Sequence, residues 1–173
     1  MFGLFKKKAP PPTWGEELFL NLRPFWFDTI QIIESVEGPF VKKHEAGLFV
    51  AVVTMRRLAA SGRDPSNAIA DEFAVMWLVY LADNPHEPEC PDAGTLSELL
   101  IARFSEYKQA LNAVDDFSKR KPDQDPEVQL TWAVFSNCTG VQAPKQFTQM
   151  MTVVPVLYET VCEVEAEVDK LLP

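Results

Sequence analysis

The end of the chain carries the pattern that most restricts its fold. Between residues 144 and 172, apolar side chains recur every three or four positions, the spacing of residues on one face of an α-helix. The members of this stripe are Phe147, Met150, Met151, Val154, Leu157, Val161, Val164, Val168 and Leu171. The pattern predicts one long C-terminal helix, in which Pro155 removes a backbone hydrogen bond and is expected to produce a kink.

Earlier segments repeat this spacing, with glycine or proline between them. The predicted helices cover residues 14–36, 40–60, 64–82, 95–119 and 125–139. Pro24 is expected to kink the first helix or to start a new one. The third helix is expected to begin at Asp64 as its N-cap and to lie at the centre of the core, because it is apolar on most sides. Thr95 and Glu98 have the spacing of a capping box and predict the start of the fourth helix.

No internal repeat and no credible strand pairing is evident. We therefore expect an all-α fold: a single compact bundle of five or six helices, with the long C-terminal helix packed against the second and third. Residues 14–173 form the predicted helical domain, and residues 1–13 form a flexible basic and proline-rich tail.

The charge of the chain argues against nucleic-acid binding. The formal net charge is −9, and residues 64–173 contain nineteen acidic but only seven basic residues. A phosphate backbone requires a basic surface, which such a segment does not supply.

Cysteine usage and the N-terminal pattern favour a cytoplasmic protein. The three cysteines are scattered without CxxC spacing, so a disulfide framework is not expected. At the N-terminus the lysines follow a short apolar stretch, whereas a secretory signal has its charges first. That same tip could make a weak contact with an anionic membrane, through Phe2, Leu4, Phe5, Lys6, Lys7 and Lys8.

Metal-ligating residue types gather in one loop, residues 83–94. His86, Glu87 and Cys90 lie there within a few positions, and His44 is the other histidine of the chain. Because the prolines between them should direct adjacent side chains apart, we interpret the segment as a solvated polar loop. No metal ion or cofactor is predicted. Neither GxSxG, HExxH nor a glycine-rich phosphate loop is present, so catalysis is not favoured.

Two surfaces are candidates for binding a partner. Glu159, Glu163 and Glu167 are spaced by four, which places them on one helical face. Residues 14–27 are crowded with aromatic side chains that cannot all face one core, so Trp14, Phe19 and Trp26 could form an exposed patch.

The favoured function is a non-catalytic cytoplasmic interaction module, such as an adaptor, a regulator or a specific chaperone, whose partner is another protein or a second copy of the chain. The first alternative is a membrane-peripheral accessory protein, and the second is a helical enzyme or a carrier of an apolar ligand.

Overall fold

The computed structural model describes residues 11–38, 42–84, 87, 89–115, 125–140 and 147–172. Within these ranges the chain forms six helices and no strand, which confirms the predicted all-α bundle. The helices are α1 (Trp14–Glu37), α2 (Lys43–Ser61), α3 (Ala68–Ala82), α4 (Ala93–Asp115), α5 (Pro126–Thr139) and α6 (Phe147–Leu171). The predicted long C-terminal helix is α6.

The central helix of the bundle is α2. Among the described elements it alone contacts all five other helices, and every residue from 44 to 54 is buried. Gly47 allows α3 to pack closely against α2, because a Cβ added at this position would lie 2.6 Å from Leu81 Cδ2 of α3. The indole of Trp77 in α3 also donates to the carbonyl of Gly47 at 3.0 Å.

The prediction that α3 lies at the centre is wrong. This helix contacts α1, α2 and α4 among the described elements, and its outer face leaves Val75 and Val79 exposed. For the same reason the predicted packing of α6 is half right: α6 lies against α2, together with α1 and α5, but it does not reach α3 in the described part of the chain. A helix that is apolar on all sides can be buried on all sides, but the pattern does not require it. In this bundle the central position is taken by α2.

The starts of α5 and α3 differ in how well they match their prediction. Asp125 caps α5 as expected, with its side chain accepting from the amide of Glu127 and Pro126 in the first turn. Asp64 is not the N-cap of α3, which begins four positions later at Ala68. The Asp64 carboxylate instead accepts from the amide of Ala70 at 2.9 Å, across a turn in which Asn67 has a φ of 57°.

The fourth helix begins at Ala93, and its predicted capping box does not set its start. Asp92 Oδ1 accepts from the amide of Thr95 at 2.8 Å, and this hydrogen bond holds the pKa of Asp92 below its usual range. Thr95 is therefore a residue of the first turn. The first helix likewise runs without a break through Pro24, so of the two alternatives predicted there, a new helix or a kink, the new helix is wrong.

Candidate functional site

A buried polar cluster lies at the start of α2. The N-cap residue of this helix, Lys42, supplies no side-chain cap. Glu87, from the loop between α3 and α4, takes that role: its Oε2 accepts from the amide of His44 at 2.7 Å. Its Oε1 lies 2.5 Å from His44 Nδ1, and the two residues are only 5% and 6% exposed. A carboxylate at this position is also favoured by the positive end of the helix dipole.

Cys90 joins this cluster through a tight turn. The amide of Cys90 donates to the carbonyl of Glu87 at 3.0 Å, and the Cys90 thiol donates to the carbonyl of Leu81 at 3.2 Å. Ligand atoms of His44, Glu87 and Cys90 all lie within 4.8 Å of one another. Burial, followed by the charge of Glu87, raises the pKa of the Cys90 thiol to about 11. At neutral pH this thiol is protonated, which disfavours it as a catalytic nucleophile.

A second buried pair lies beside the first. Glu45, 3% exposed, accepts two hydrogen bonds from Arg103 of α4, at 2.6 and 2.7 Å. The hydrogen bond to Glu45 raises the pKa of Arg103 despite its partial burial. Arg103 also donates to Glu106 at 3.0 Å, and Asn137 of α5 donates to Glu106 and to the hydroxyl of Tyr107. These contacts fix α2, α4 and α5 to one another and satisfy the polar groups that burial would otherwise penalise.

The interpretation of residues 83–94 as a solvated polar loop does not hold at Glu87, which is buried. The structure brings Glu87 and Cys90 together with His44, which is 43 positions from Glu87 in the chain. Sequence reasoning selected these residues but could not connect them, and it missed the pairing of Glu45 with Arg103 entirely. His86 lies outside the described residues.

The aromatic residues of α1 divide between the core and the surface. Trp26 is buried and donates to the carbonyl of Lys43 at 2.8 Å, and the half-buried Phe19 packs edge-on against Tyr80 with ring centroids 5.3 Å apart. Trp14 is exposed, as is Phe27, another aromatic residue of the crowded segment. Leu20, which the sequence did not single out, is also exposed. The expected patch of Trp14, Phe19 and Trp26 therefore does not form as one surface.

The acidic face of α6 also divides. Glu159 and Glu163 are exposed and border a shallow groove with Asp28 and Ile32 of α1. Glu167 is half-buried and pairs with Lys170 at 3.1 Å. Whether Glu159 and Glu163 bind a partner stays a prediction.

An exposed apolar surface lies between α3 and α4, and the sequence did not indicate it. Val75 is 64% exposed and Ile101 is 68% exposed. They flank a groove of about 480 Å³, here termed the α3–α4 groove. It is lined by Met55, Asp71, Ala74, Val75, Leu78, Ser97, Leu100, Ile101, Phe104 and Ser105.

Comparison with known proteins adds no relative: no protein family, no curated protein and no solved structure matches the chain significantly. Among the described helices, none combines the length and the apolarity that crossing a bilayer requires. The candidate membrane tip (Phe2, Leu4, Phe5, Lys6, Lys7 and Lys8) lies outside the described residues.

Proposed function

We propose that this protein is a non-catalytic cytoplasmic interaction module that binds an amphipathic helix of a partner protein in the α3–α4 groove. The observation that carries the proposal is the exposure of Val75 and Ile101, which flank this groove on opposite sides. Exposed apolar grooves are one form that protein-binding surfaces take.

The shape of the groove fits a helix. Its lining residues recur at intervals of three and four on both walls, 71, 74, 75 and 78 on α3 and 97, 100, 101 and 104 on α4. This is the pattern by which a helix receives a neighbour in a bundle. With fifteen residues, α3 is about 22 Å long at 1.5 Å per residue, so the groove can receive roughly four turns of a bound helix.

The surrounding charge indicates the chemistry of the partner. Asp71 lines the groove, and residues 64–173 contain nineteen acidic and seven basic residues. A partner helix with an apolar face flanked by lysine and arginine would be attracted to this body and oriented on it.

The polar cluster supports a non-catalytic role. The carboxylate of Glu87 bonds to His44, Arg103 binds both carboxylate oxygens of Glu45, and the Cys90 thiol is protonated at neutral pH. Groups held in this way stabilise the bundle, whereas a general base must be within reach of a substrate proton.

Site-specific photo-crosslinking tests the proposal. A photoreactive amino acid is placed at position 101 in the groove or, as a matched control, at position 151, where the exposed Met151 lies on α6. We expect one defined partner to be captured from position 101 only. Capture equally from both positions, or capture of a second copy of this chain, would contradict binding of a foreign helix in the groove.

The captured segment is then made as a peptide and its affinity is measured by calorimetry. Val75→Glu places a charge on the bound apolar face and should weaken binding at least about tenfold, equivalent to about 1.4 kcal/mol. Met151→Glu introduces the same charge at another exposed apolar position and should leave the affinity unchanged. Equal affinities of the two variants would rule out the groove as the binding site.

A further inference from the structure

We propose that His44, Glu87 and Cys90 bind a zinc ion. The three side chains offer one imidazole nitrogen, one carboxylate oxygen and one sulfur, which are the ligand types that zinc takes in proteins. They come from two separate parts of the chain, the first turn of α2 and the loop between α3 and α4. This inference stands independently of the proposed partner binding.

The local backbone arranges two of the ligands as a pair. Glu87 and Cys90 are separated by two residues and closed by the hydrogen bond from the Cys90 amide to the Glu87 carbonyl. Zinc sites commonly use two ligands with this separation, because a tight turn directs both side chains to one point. His44 then approaches that point from α2, whose first turn is buried against the loop.

The distances are those of a site that needs only small adjustments. In a tetrahedral site with bonds of about 2.0–2.3 Å, ligand atoms lie roughly 3.3–3.7 Å apart. The ligand atoms of this cluster already lie within 4.8 Å of one another. His44 Nδ1 and Glu87 Oε1, now 2.5 Å apart, would separate by about 1 Å to admit the ion between them.

The remaining contacts would orient the ligands. Glu87 Oε2, which accepts from the amide of His44 at 2.7 Å, can keep this hydrogen bond when Oε1 turns to the metal. Nδ1 binds the metal as an unprotonated nitrogen, so the bound imidazole carries its single proton on Nε2. A neutral imidazole protonated at Nδ1 reaches this state by exchanging that proton through the buffer for one on Nε2. The Cys90 thiol releases its proton to the buffer as the zinc–sulfur bond forms.

The charge balance suits a buried position. One Zn²⁺ with the Glu87 carboxylate and the Cys90 thiolate gives a neutral set, which avoids the cost of an unpaired charge among groups as buried as His44 and Glu87. The three side chains leave a fourth tetrahedral position for water or for one further ligand. Bound zinc would tie the loop between α3 and α4 directly to the central helix.

The test is a titration of the full chain with Co²⁺, whose bond to a thiolate absorbs in the near ultraviolet. We expect this band to saturate at one equivalent, to disappear in Cys90→Ser and to remain in Cys162→Ser, since Cys162 is exposed on α6. Glu87→Gln should weaken Zn²⁺ binding by at least about 100-fold, as expected for loss of a direct ligand. Absence of the band in the unaltered protein, or its persistence in Cys90→Ser, would overturn the proposal.

A second measurement uses the unaltered protein, so its result does not depend on whether a variant folds. Alkylation of each cysteine is followed by mass spectrometry with and without one equivalent of Zn²⁺. Zinc should slow the labelling of Cys90 at least about tenfold, because coordination occupies its sulfur, and should leave the labelling of Cys162 unchanged. Equal labelling of Cys90 with and without zinc would exclude the site.

Discussion

At the scale of single residues, Gly47 decides how closely α2 and α3 approach each other. Its Cα faces Leu81 of α3, and a Cβ at this position would lie 2.6 Å from Cδ2 and 2.9 Å from Cδ1 of that leucine. Leu81 is fully buried, and buried side chains are closely packed on all sides. Glycine normally weakens a helix, so its presence in the buried part of α2 is explained by this contact.

We therefore expect Gly47→Ala to lower the free energy of unfolding by about 1–2 kcal/mol. Overpacking costs about 1–3 kcal/mol, and the better helix propensity of alanine returns at most about 1 kcal/mol. Urea unfolding followed by circular dichroism measures the change. The control is the double variant Gly47→Ala/Leu81→Ala, which should lose less stability than the sum of the two single variants. Additive losses would show that the contact does not limit the packing.

At the scale of elements, two ion pairs join α2 to α6. Arg56 pairs with Glu165, and Arg57 pairs with Asp169, including a hydrogen bond of 2.8 Å from Arg57 Nε. The hydrogen bond from Arg57 holds the pKa of Asp169 below its usual value, more than its slight desolvation raises it. The acidic stripe predicted on α6 (Glu159, Glu163 and Glu167) therefore lies beside two further acidic residues, Glu165 and Asp169, which pair with arginines of α2.

This pKa shift predicts a dependence of stability on acid. Because the pKa of Asp169 is lower in the folded state, its contribution is complete above about pH 4 and disappears as the pH falls through the folded-state pKa. Asp169→Asn should lose less than about 1 kcal/mol at pH 7, since the pair is partly exposed, and its difference from the unaltered protein should shrink as the pH falls below about 4. Unfolding free energies measured from pH 7 to pH 2 provide the test. A constant difference across this range would contradict the assignment.

The approximate position of each helix was predictable from the sequence, whereas the residue at which a helix begins was predicted wrongly for some of them. The three-and-four spacing is a local property, so it located all six helices in the described part of the chain. At α4, Asp92 and Thr95 are both good caps, and local sequence cannot decide which one the helix uses. At α3, the turn between Asp64 and Ala68 requires Asn67 in a left-handed conformation, which no periodicity indicates.

The candidate sites were less predictable, because they depend on contacts between distant segments. The sequence selected Glu87 and Cys90 as polar residues of a loop, but their burial depends on His44, whose position only the folded bundle defines. The exposure of Val75 and Ile101 was not predictable either. From the sequence alone, an apolar helix residue that is buried in the core cannot be distinguished from one that is exposed. The distinction requires knowing which helix lies at the centre of the bundle.

At the scale of the whole molecule, burial is arranged around one helix. Residues 44–54 of α2 are buried without interruption, and all other described helices pack against it. In contrast, α3 and α6 each leave valines in contact with solvent. Opening any outer helix locally would still leave α2 covered by the others.

Native-state hydrogen exchange should therefore find its slowest amides in residues 48–54 of α2. We expect their exchange free energy to equal the global free energy of unfolding, and we expect amides near Val75 on α3 to exchange at lower free energy. Gly47→Ala should lower the exchange free energies in α2 by the same amount as it lowers the denaturant-derived value. Slower exchange in α3 than in α2 would contradict the central position of α2.

The carboxylate that caps α2 has a consequence for the order of synthesis. Glu87 follows His44 by 43 positions, so the central helix is synthesised before the residue that completes its first turn. A nascent chain ending before the loop between α3 and α4 would expose the amide of His44 and the apolar faces that α4, α5 and α6 later cover. The central helix of the bundle is therefore synthesised early, but the helices that bury it are complete only late in translation.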